Sequence, residues 1–297
     1  MTVGAVTVGI DLGGTGTRIV LLDVGGNVVG DTTQPTAAWG NGPGAVVALT
    51  EAVLTLAGSA TVSAVGIGAS GPVDADGIIR NPDTLPAFSD VPLTLPLSER
   101  LGAPCVIDND AATAALGEYR FGAGRGCTRL LMVTLGTGIG VGVLTEGRLF
   151  KDAHGLHPEA GHLAVAGPAA ACYCGLPSCW EQLASRTALR RQLDTDVDTA
   201  ALAARAGSTS TLDSFRRYGD YVAAGLSTLM TVYGPDRVVI GGGAAQYWDL
   251  WRPAVESGAG QRGRFGSSAD IVVAHLGTLT GAIGAAALAD AHRAAAR

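Results

Sequence analysis

The sequence is poor in aromatic residues, which make up 5% of its 297 residues, and it carries no excess of basic charge. Its 20 lysines and arginines face 26 aspartates and glutamates, for a formal charge of −6. A nucleic-acid surface needs a basic face, so no nucleic-acid partner is expected. A small phosphorylated ligand stays open, because a local site can bind it against the global charge. No window holds the roughly twenty unbroken apolar residues of a membrane span, so no membrane partner is expected. The N-terminus lacks the basic and apolar regions of a secretory signal. There is no Gly-x4-Gly-Lys-Ser/Thr run, which removes the P-loop reading. No Pro/Ser-rich linker or low-complexity run divides the chain. The expectation is a cytoplasmic globular protein.

What is present is apolar and small. Apolar residues are 47% of the chain and glycines number 44, enough for a sizeable core with close backbone approaches. Residues 5–10 are a β-branched run, followed by Asp11 and the turn Leu-Gly-Gly-Thr-Gly-Thr, then a second strand from Arg18. Strand, glycine turn and strand predict a hairpin. Gly25-Gly26-Asn27 predicts another. A helix is expected over 43–58, a buried strand over 62–68, a loop over 81–92, a short helix ending at Gly102, a strand ending Ile107-Asp108-Asn109-Asp110, and a helix after it. Residues 129–150 repeat the opening plan, with the turn Gly136-Thr-Gly138-Ile-Gly140 and a hairpin at Glu146-Gly147. Residues 181–206 and 210–233 are expected to be helical, the latter stopped by Gly234-Pro235. A strand then runs into Gly241-Gly242-Gly243, a last strand follows, and an Ala-rich helix closes the chain. The repeated plan reads as a distant internal duplication in an α/β chain with mixed sheets. The expected division is 1–115 with the terminal helix of about 280–297, and 116–279, the two lobes meeting along a central cleft.

Three of the five cysteines fall in one loop, as Cys172-x-Cys174-x4-Cys179, with His162 ten residues upstream. One imidazole and three thiolates form a complete tetrahedral zinc set, and four protein ligands leave no open position. Such a metal is structural. Three cysteines this close in a Gly/Pro-containing loop rarely pack as core, and the cytosolic composition argues against a disulfide. Glu159 and Glu181 bracket the loop, so the metal would order two carboxylates. Cys105 and Cys127 are isolated and read as inert thiols.

The glycine turns suit phosphates, because glycine lets backbone N–H groups approach closely. Asp11, Gly13, Gly14, Thr15 and Thr17 offer amides, two hydroxyls and a carboxylate at one strand end. Gly136, Thr137 and Gly138 offer the same from the second half. Gly241, Gly242 and Gly243 suit an adenine and ribose against bare backbone. Asp110 has two readings: an N-cap for the helix it precedes, or a general base that takes a proton from a substrate hydroxyl, with Asn109 bonding neighbouring hydroxyls.

These pieces together resemble the ROK family (repressor, open reading frame, kinase), on its glucokinase side. The matching motifs are Asp11-x-Gly-Gly-Thr15, Gly68-x-Ser70-Gly71-Pro72, Asn109-Asp110, Leu135-Gly-Thr-Gly-x-Gly140, Glu159-x-Gly161-His162 and Cys172-x-Cys174-Gly-x3-Cys179-x-Glu181. They span most of the chain in the family's order. The resemblance implies the actin-like, hexokinase-like ATPase fold with ribonuclease H-like halves. It implies a sugar held by Ser70, Gly71, Thr84, Asn109, Asp110, Glu159, His162 and Glu181. It implies Mg2+ with ATP near Asp11, in-line transfer to a primary hydroxyl of a hexose, glucose first, and a homodimer or homotetramer. Gly16 stands where many relatives carry Lys, and some polyphosphate-using sugar kinases share such a turn, so ATP and polyphosphate both remain as donors. Mannose, fructose and the N-acetylhexosamines remain as substrates. A sugar-sensing repressor would need a DNA-reading module before the first strand, which begins about five residues in.

Overall fold

Alternation along the first strand sets the first half of the molecule. In the computed structural model, which describes residues 4–74, 76–168, 170–260 and 269–295, β1 (Ala5–Leu12) turns Val6, Val8, Ile10 and Leu12 to one face. Thr7, Gly9 and Asp11 take the other. β1 pairs antiparallel with β2 (Gly16–Leu22), and β2 with β3 (Val28–Pro35). After α1 (Pro43–Ala57), β4 (Thr61–Ala69) adds parallel to β1. After α2 (Thr94–Leu101), β5 (Cys105–Asn109) adds parallel to β4. The sheet order is β3-β2-β1-β4-β5. Its β-branched face packs Val65 and Ile67 with Val46, Leu49 and Val53 of α1 and Leu97 of α2.

The opposite face carries glycines, and two helices lie close on it. α3 (Asp110–Phe121) and the terminal α9 (Thr280–Ala295) pack on each other. A Cβ on Gly9 would stand 1.9 Å from the Ala282 carbonyl oxygen, one on Gly66 1.8 Å from that of Ala285, and one on Gly284 1.7 Å from that of Thr113. Glu118 of α3 is fully buried. It accepts hydrogen bonds from the amides of Ala123, His275 and Leu276 and from the Thr280 hydroxyl, at 2.7–3.2 Å. Its desolvated charge is thus met by four donors, and it fixes the approach to α9.

The second sheet follows the same plan. β6 (Arg129–Leu135) pairs antiparallel with β7 (Ile139–Thr145), which turns through Glu146 and Gly147, both at positive φ, into β8 (Arg148–Leu149). α4 (Glu181–Ala184), α5 (Arg186–Arg191), α6 (Val197–Arg205) and α7 (Thr209–Tyr233) follow. β9 (Arg237–Gly241) then adds parallel to β6 and, after α8 (Trp248–Gly260), β10 (Asp270–Val273) adds parallel to β9. The order β10-β9-β6-β7-β8 mirrors the first sheet strand for strand, as a duplication requires. Leu131, Val133, Val141, Val238 and Ile240 pack in one core with Trp180, just before α4, and with Tyr218, Leu226 and Trp251 of α7 and α8.

The chain forms two compact units: Met1–Gly126 with Gly147–His157 and His275–Arg297, and Cys127–Glu146 with Pro158–Ala274. Residues 116–126 and 147–157 belong to the first unit, where the sequence reading had put them in the second: α3 is seated against α9 through Gly117 and Gly284, and Lys151 and His157 are tied to Asp108. The helical stretch expected over 181–206 is divided into α4, α5 and α6. Ser185 caps α5 through the Ala188 amide, and Asp196 caps α6 through the Thr199 amide. Ala296 and Arg297 of the expected terminal helix lie outside the described residues, as do residues 1–3 of the expected first lobe.

Gly66→Ala is expected to lower stability by about 1–3 kcal/mol, because the added methyl meets backbone that cannot rotate away. Gly44→Ala, in α1 with open space at its Cβ, is expected to be neutral or to stabilise by up to about 1 kcal/mol. Denaturant unfolding of the two variants measures the contrast.

Candidate active site

Three parallel strands of the first unit end side by side. Leu12 is paired with Ala69, and Ala69 with Asn109. The residues at and just past these ends, Asp11, Ser70, Asn109 and Asp110, are therefore gathered at the C-terminal edge of the sheet, where α/β folds bind ligands. Asn109, not Asp110, caps α3: its Oδ1 accepts from the amides of Ala111 and Ala112 at 2.9 and 3.2 Å. Asp110 is thereby spared most of the capping role. Its Oδ2 accepts from the Ser70 hydroxyl at 2.6 Å and its Oδ1 from the Ala111 amide at 2.8 Å. Burial raises its pKa, and the Ser70 and Ala111 bonds oppose the rise.

Asp11 shares this environment. Burial, then the charge of Asp110, lift its pKa to about 7, against the opposing Arg18 guanidinium, whose Nη1 lies 3.4 Å from Asp11 Oδ2. A desolvated carboxylate held beside a second one favours a cation, so the pair suits a divalent ion accompanying phosphates. The turn after Asp11 is closed by the Gly13 amide on the Gly16 carbonyl, 3.1 Å. Gly14 and Thr15 are exposed on it. Thr17 corrects the sequence reading. It is 1% exposed and its hydroxyl pairs with that of Thr36, which donates to the Gly13 carbonyl. Thr17 shapes the turn from inside and presents no hydroxyl to a ligand.

The described residues after β4 return to this edge through Asn81 and Thr84. Gly71, at φ +91°, faces Asn81 so closely that a Cβ would stand 2.4 Å from the amide nitrogen. Asn81 donates to the Ser70 carbonyl at 3.0 Å and accepts from the Thr84 amide at 3.3 Å, and Thr84 lies against Gly14. The sequence reading missed Asn81; its signal was the Asn-Pro pair opening the loop. Arg80 bonds both Asp74 and Asp90 and ties the loop back on itself.

The second unit has its own strand-end cluster. Thr134 of β6 pairs with Gly241 of β9, so the turn Gly136-Thr137-Gly138 and the run Gly241–Gly243 are neighbours. Gly242, at φ +79°, leaves no room for a side chain against the Leu135 backbone, and the Ala244 amide bonds the Leu135 carbonyl at 3.0 Å. A Cβ on Gly138 would stand 2.1 Å from Glu181 Oε2, which accepts from the Ile139 amide at 3.0 Å. Glu181 is buried and Glu159 is exposed. His162, Cys172, Cys174 and Cys179 offer donor atoms that all lie within 4.8 Å of one another. His162 Nδ1 is 3.5 Å from Cys172 Sγ, and the Cys174 and Cys179 sulfurs are 3.5 Å apart. A disulfide would be about 2.05 Å; a tetrahedral metal with bonds of about 2.3 Å sets its sulfurs about 3.8 Å apart. The spacing fits the metal, and all three thiols are free. His162 Nε2 faces the Tyr173 hydroxyl at 3.3 Å. Trp180, fully buried, donates to the Tyr221 carbonyl and anchors the end of the loop.

The sequence matches the ROK family over residues 7–292. The chain belongs to the ROK family. It is similar to the glucokinase of Streptomyces coelicolor, with 31% identity over 315 residues, 95% of this chain and 97% of that protein. Its structure is similar to that of the ROK hexokinase from Thermus thermophilus, with a TM-score of 0.84 and 32% identity over 98% of this chain and 99% of that one. The ROK glucokinase from Streptomyces griseus in complex with glucose and AMPPNP has a TM-score of 0.82 and 32% identity over 96% and 99% of the two chains. The two mixed sheets with their helices are thus the expected actin-like α/β fold. No helix of the described residues is long and apolar enough to cross a membrane.

Asp11 gives a testable pH dependence. Folded, it holds its proton up to about pH 7; unfolded, it releases it near the ordinary carboxylate value of about 3.9. Between the two the folded protein binds the extra proton, so this group's contribution to stability falls as pH rises through that window. The shift of Asp110 acts in the same direction. Thermal midpoints of the ligand-free protein from pH 4 to 8 should fall less steeply in Asp11→Asn than in wild type. Parallel slopes would show that Asp11 keeps an ordinary pKa.

Proposed function

We propose that this ROK protein is an ATP-dependent hexose kinase that converts glucose to glucose 6-phosphate, with Asp110 as general base. The observation that carries this reading is the state of Asp110: relieved of capping by Asn109, held through Oδ2 by Ser70, and raised in pKa by burial. A carboxylate tuned upward at a strand end is suited to take a proton near neutral pH. Its oxygen takes the proton of the primary hydroxyl, the sugar oxygen bonds the γ-phosphorus, and the bond to the ADP oxygen breaks. Positioning and charge neutralisation carry most of the rate. Similarity to glucokinases over nearly the whole chain supports the same reading.

In this reading Ser70, Gly71, Thr84, Asn109 and Asp110 of the first unit, and Glu159, His162 and Glu181 of the second, bind the sugar. Gly13, Gly14 and Thr15 face the phosphates with Asp11 near Mg2+, which neutralises phosphate charge when bound. Gly136, Thr137, Gly138 and Gly241–Gly243 hold the rest of the nucleotide. Zinc would be held by His162, Cys172, Cys174 and Cys179 and would supply loop order. Glu181 is additionally tied to the Ile139 amide, so the metal's influence falls chiefly on Glu159 and His162.

Asp110→Asn keeps the shape and loses the base. Turnover on glucose with ATP should fall by about a hundredfold or more, with the sugar Kd close to wild type. Retention of more than about a tenth of the rate would remove Asp110 from the base role. Running the assay over mannose, fructose and N-acetylhexosamines, and with polyphosphate, reads substrate and donor directly.

Removal of the metal is the second test. Metal analysis should find about one zinc per chain. The chelated protein, or Cys174→Ala, should show a much weaker sugar Kd and a nearly unchanged Kd for an ATP analogue, because neither phosphate turn lies in the loop. Equal loss of both would overturn the assignment of the loop to the sugar.

A further inference from the structure

Asp108 immediately precedes the Asn109–Asp110 pair, and both oxygens of its carboxylate are engaged within the first unit. Oδ1 accepts from the Asn109 amide at 2.9 Å and lies 2.7 Å from His157 Nε2, while Lys151 Nζ stands 2.9 Å from Oδ2. His157 Nδ1 lies 3.2 Å from the Phe150 carbonyl oxygen. Both ring nitrogens thus face oxygen atoms of neighbouring groups. The His157 side chain is 6% exposed and that of Asp108 11%, so this is an interior pair; the lysine, 41% exposed, reaches it from the surface. Burial alone would raise the Asp108 pKa, but the bonds and charges of His157 and Lys151 outweigh it and hold the group below the usual carboxylate range.

Two features set this cluster apart from an ordinary surface ion pair. Among 20 lysines and arginines, Lys151 is the one lysine; its compact ammonium serves a single carboxylate oxygen where a guanidinium would present a planar fork. The hydrogen bonds also run on without a gap. His157 holds Asp108, Asp108 holds the Asn109 amide, and Asn109 caps Ala111 and Ala112 at the helix start from which Asp110 projects. His157 is moreover the last residue of the first unit before the chain passes to Pro158 and the Glu159-x-Gly-His162 segment.

We propose that His157 and Lys151 are positioning residues for the general base: by occupying both oxygens of Asp108 they hold the end of β5, and with it the Asn109 cap and the Asp110 carboxylate, in the orientation from which a sugar hydroxyl is deprotonated. This deepens the kinase reading and rests on it. A carboxylate misplaced by a fraction of an ångström loses rate without losing ligand, because alignment matters most in the transition state.

The test uses the full-length protein with His157→Leu, His157→Gln, Lys151→Met, Asp108→Asn and the double variant His157→Leu/Asp108→Asn, each checked for folding by thermal unfolding. His157→Leu should lower kcat by about ten- to a hundredfold while the ATP-analogue Kd is kept. Lys151→Met should lower it less, its charge being screened by solvent. His157→Gln, which keeps a donor for Asp108, should recover part of the loss. The double variant should be no worse than Asp108→Asn alone, since both changes act through one carboxylate. Amide exchange at Asn109, Ala111 and Ala112 should quicken in His157→Leu. A kcat within about twofold of wild type in a folded His157→Leu protein would reduce the cluster to a structural tie and overturn the proposal. If wild type phosphorylates no sugar with either donor, the kinase reading fails by itself. Amide exchange then still decides whether His157 and Lys151 hold the strand end, and unchanged exchange overturns that too.

Discussion

Two carboxylates that repel each other in a desolvated place organise the first unit. Asp11 and Asp110 come from different strands, and the parallel register of β1, β4 and β5 brings both to one edge. Repulsion between them is costly without water. The neighbours can be read as its management. Arg18 sits on Asp11, Ser70 on Asp110, and Asn109 takes over the capping that Asp110 would otherwise do. A third carboxylate, Asp108, is kept out of the conflict by its own partners, Lys151 and His157. The arrangement stores an affinity for positive charge and for donated protons, which is what phosphoryl transfer to a hydroxyl asks of a protein.

The two sheets share an order but not a chemistry. At the first sheet's strand ends stand carboxylates and hydroxyls. At the corresponding ends of the second stand glycines pressed against backbone, as Gly242 is against Leu135. Duplication supplies the same scaffold twice, and the side chains at the ends divide the labour. The glycine-bearing face of the first sheet is a related economy of space: Gly9 and Gly66 let the Ala-rich α9 lie directly on the strands.

What the sequence made legible was local. The hairpin turns and the Asn109–Asp110 pair are each written within a few residues of chain and the Cys/His set within one short segment, and short-range rules read them. What it hid depended on partners far away. Thr17 faces inward because Thr36 is there to receive it, nineteen positions on. Nothing near Glu118 in the sequence announces its burial, which depends on the amides of His275 and Leu276, more than 150 positions later. His157 was invisible for the same reason, its partner Asp108 lying 49 positions upstream. The divisions within the helical stretch 181–206 are of the local kind, since Ser185 and Asp196 are cap residues legible in place.

The arginine-rich composition has a practical consequence at the bench. Amine-selective reagents meet one side chain in this protein, Lys151, together with the terminal amine. A fluorophore coupled by such chemistry would report from the rim of the strand end that carries Asp110. An amine-coupled sensor surface would grip the molecule at that same place or at the terminal amine. Immobilisation through an engineered tag keeps the ammonium on Asp108, and random amine coupling removes it.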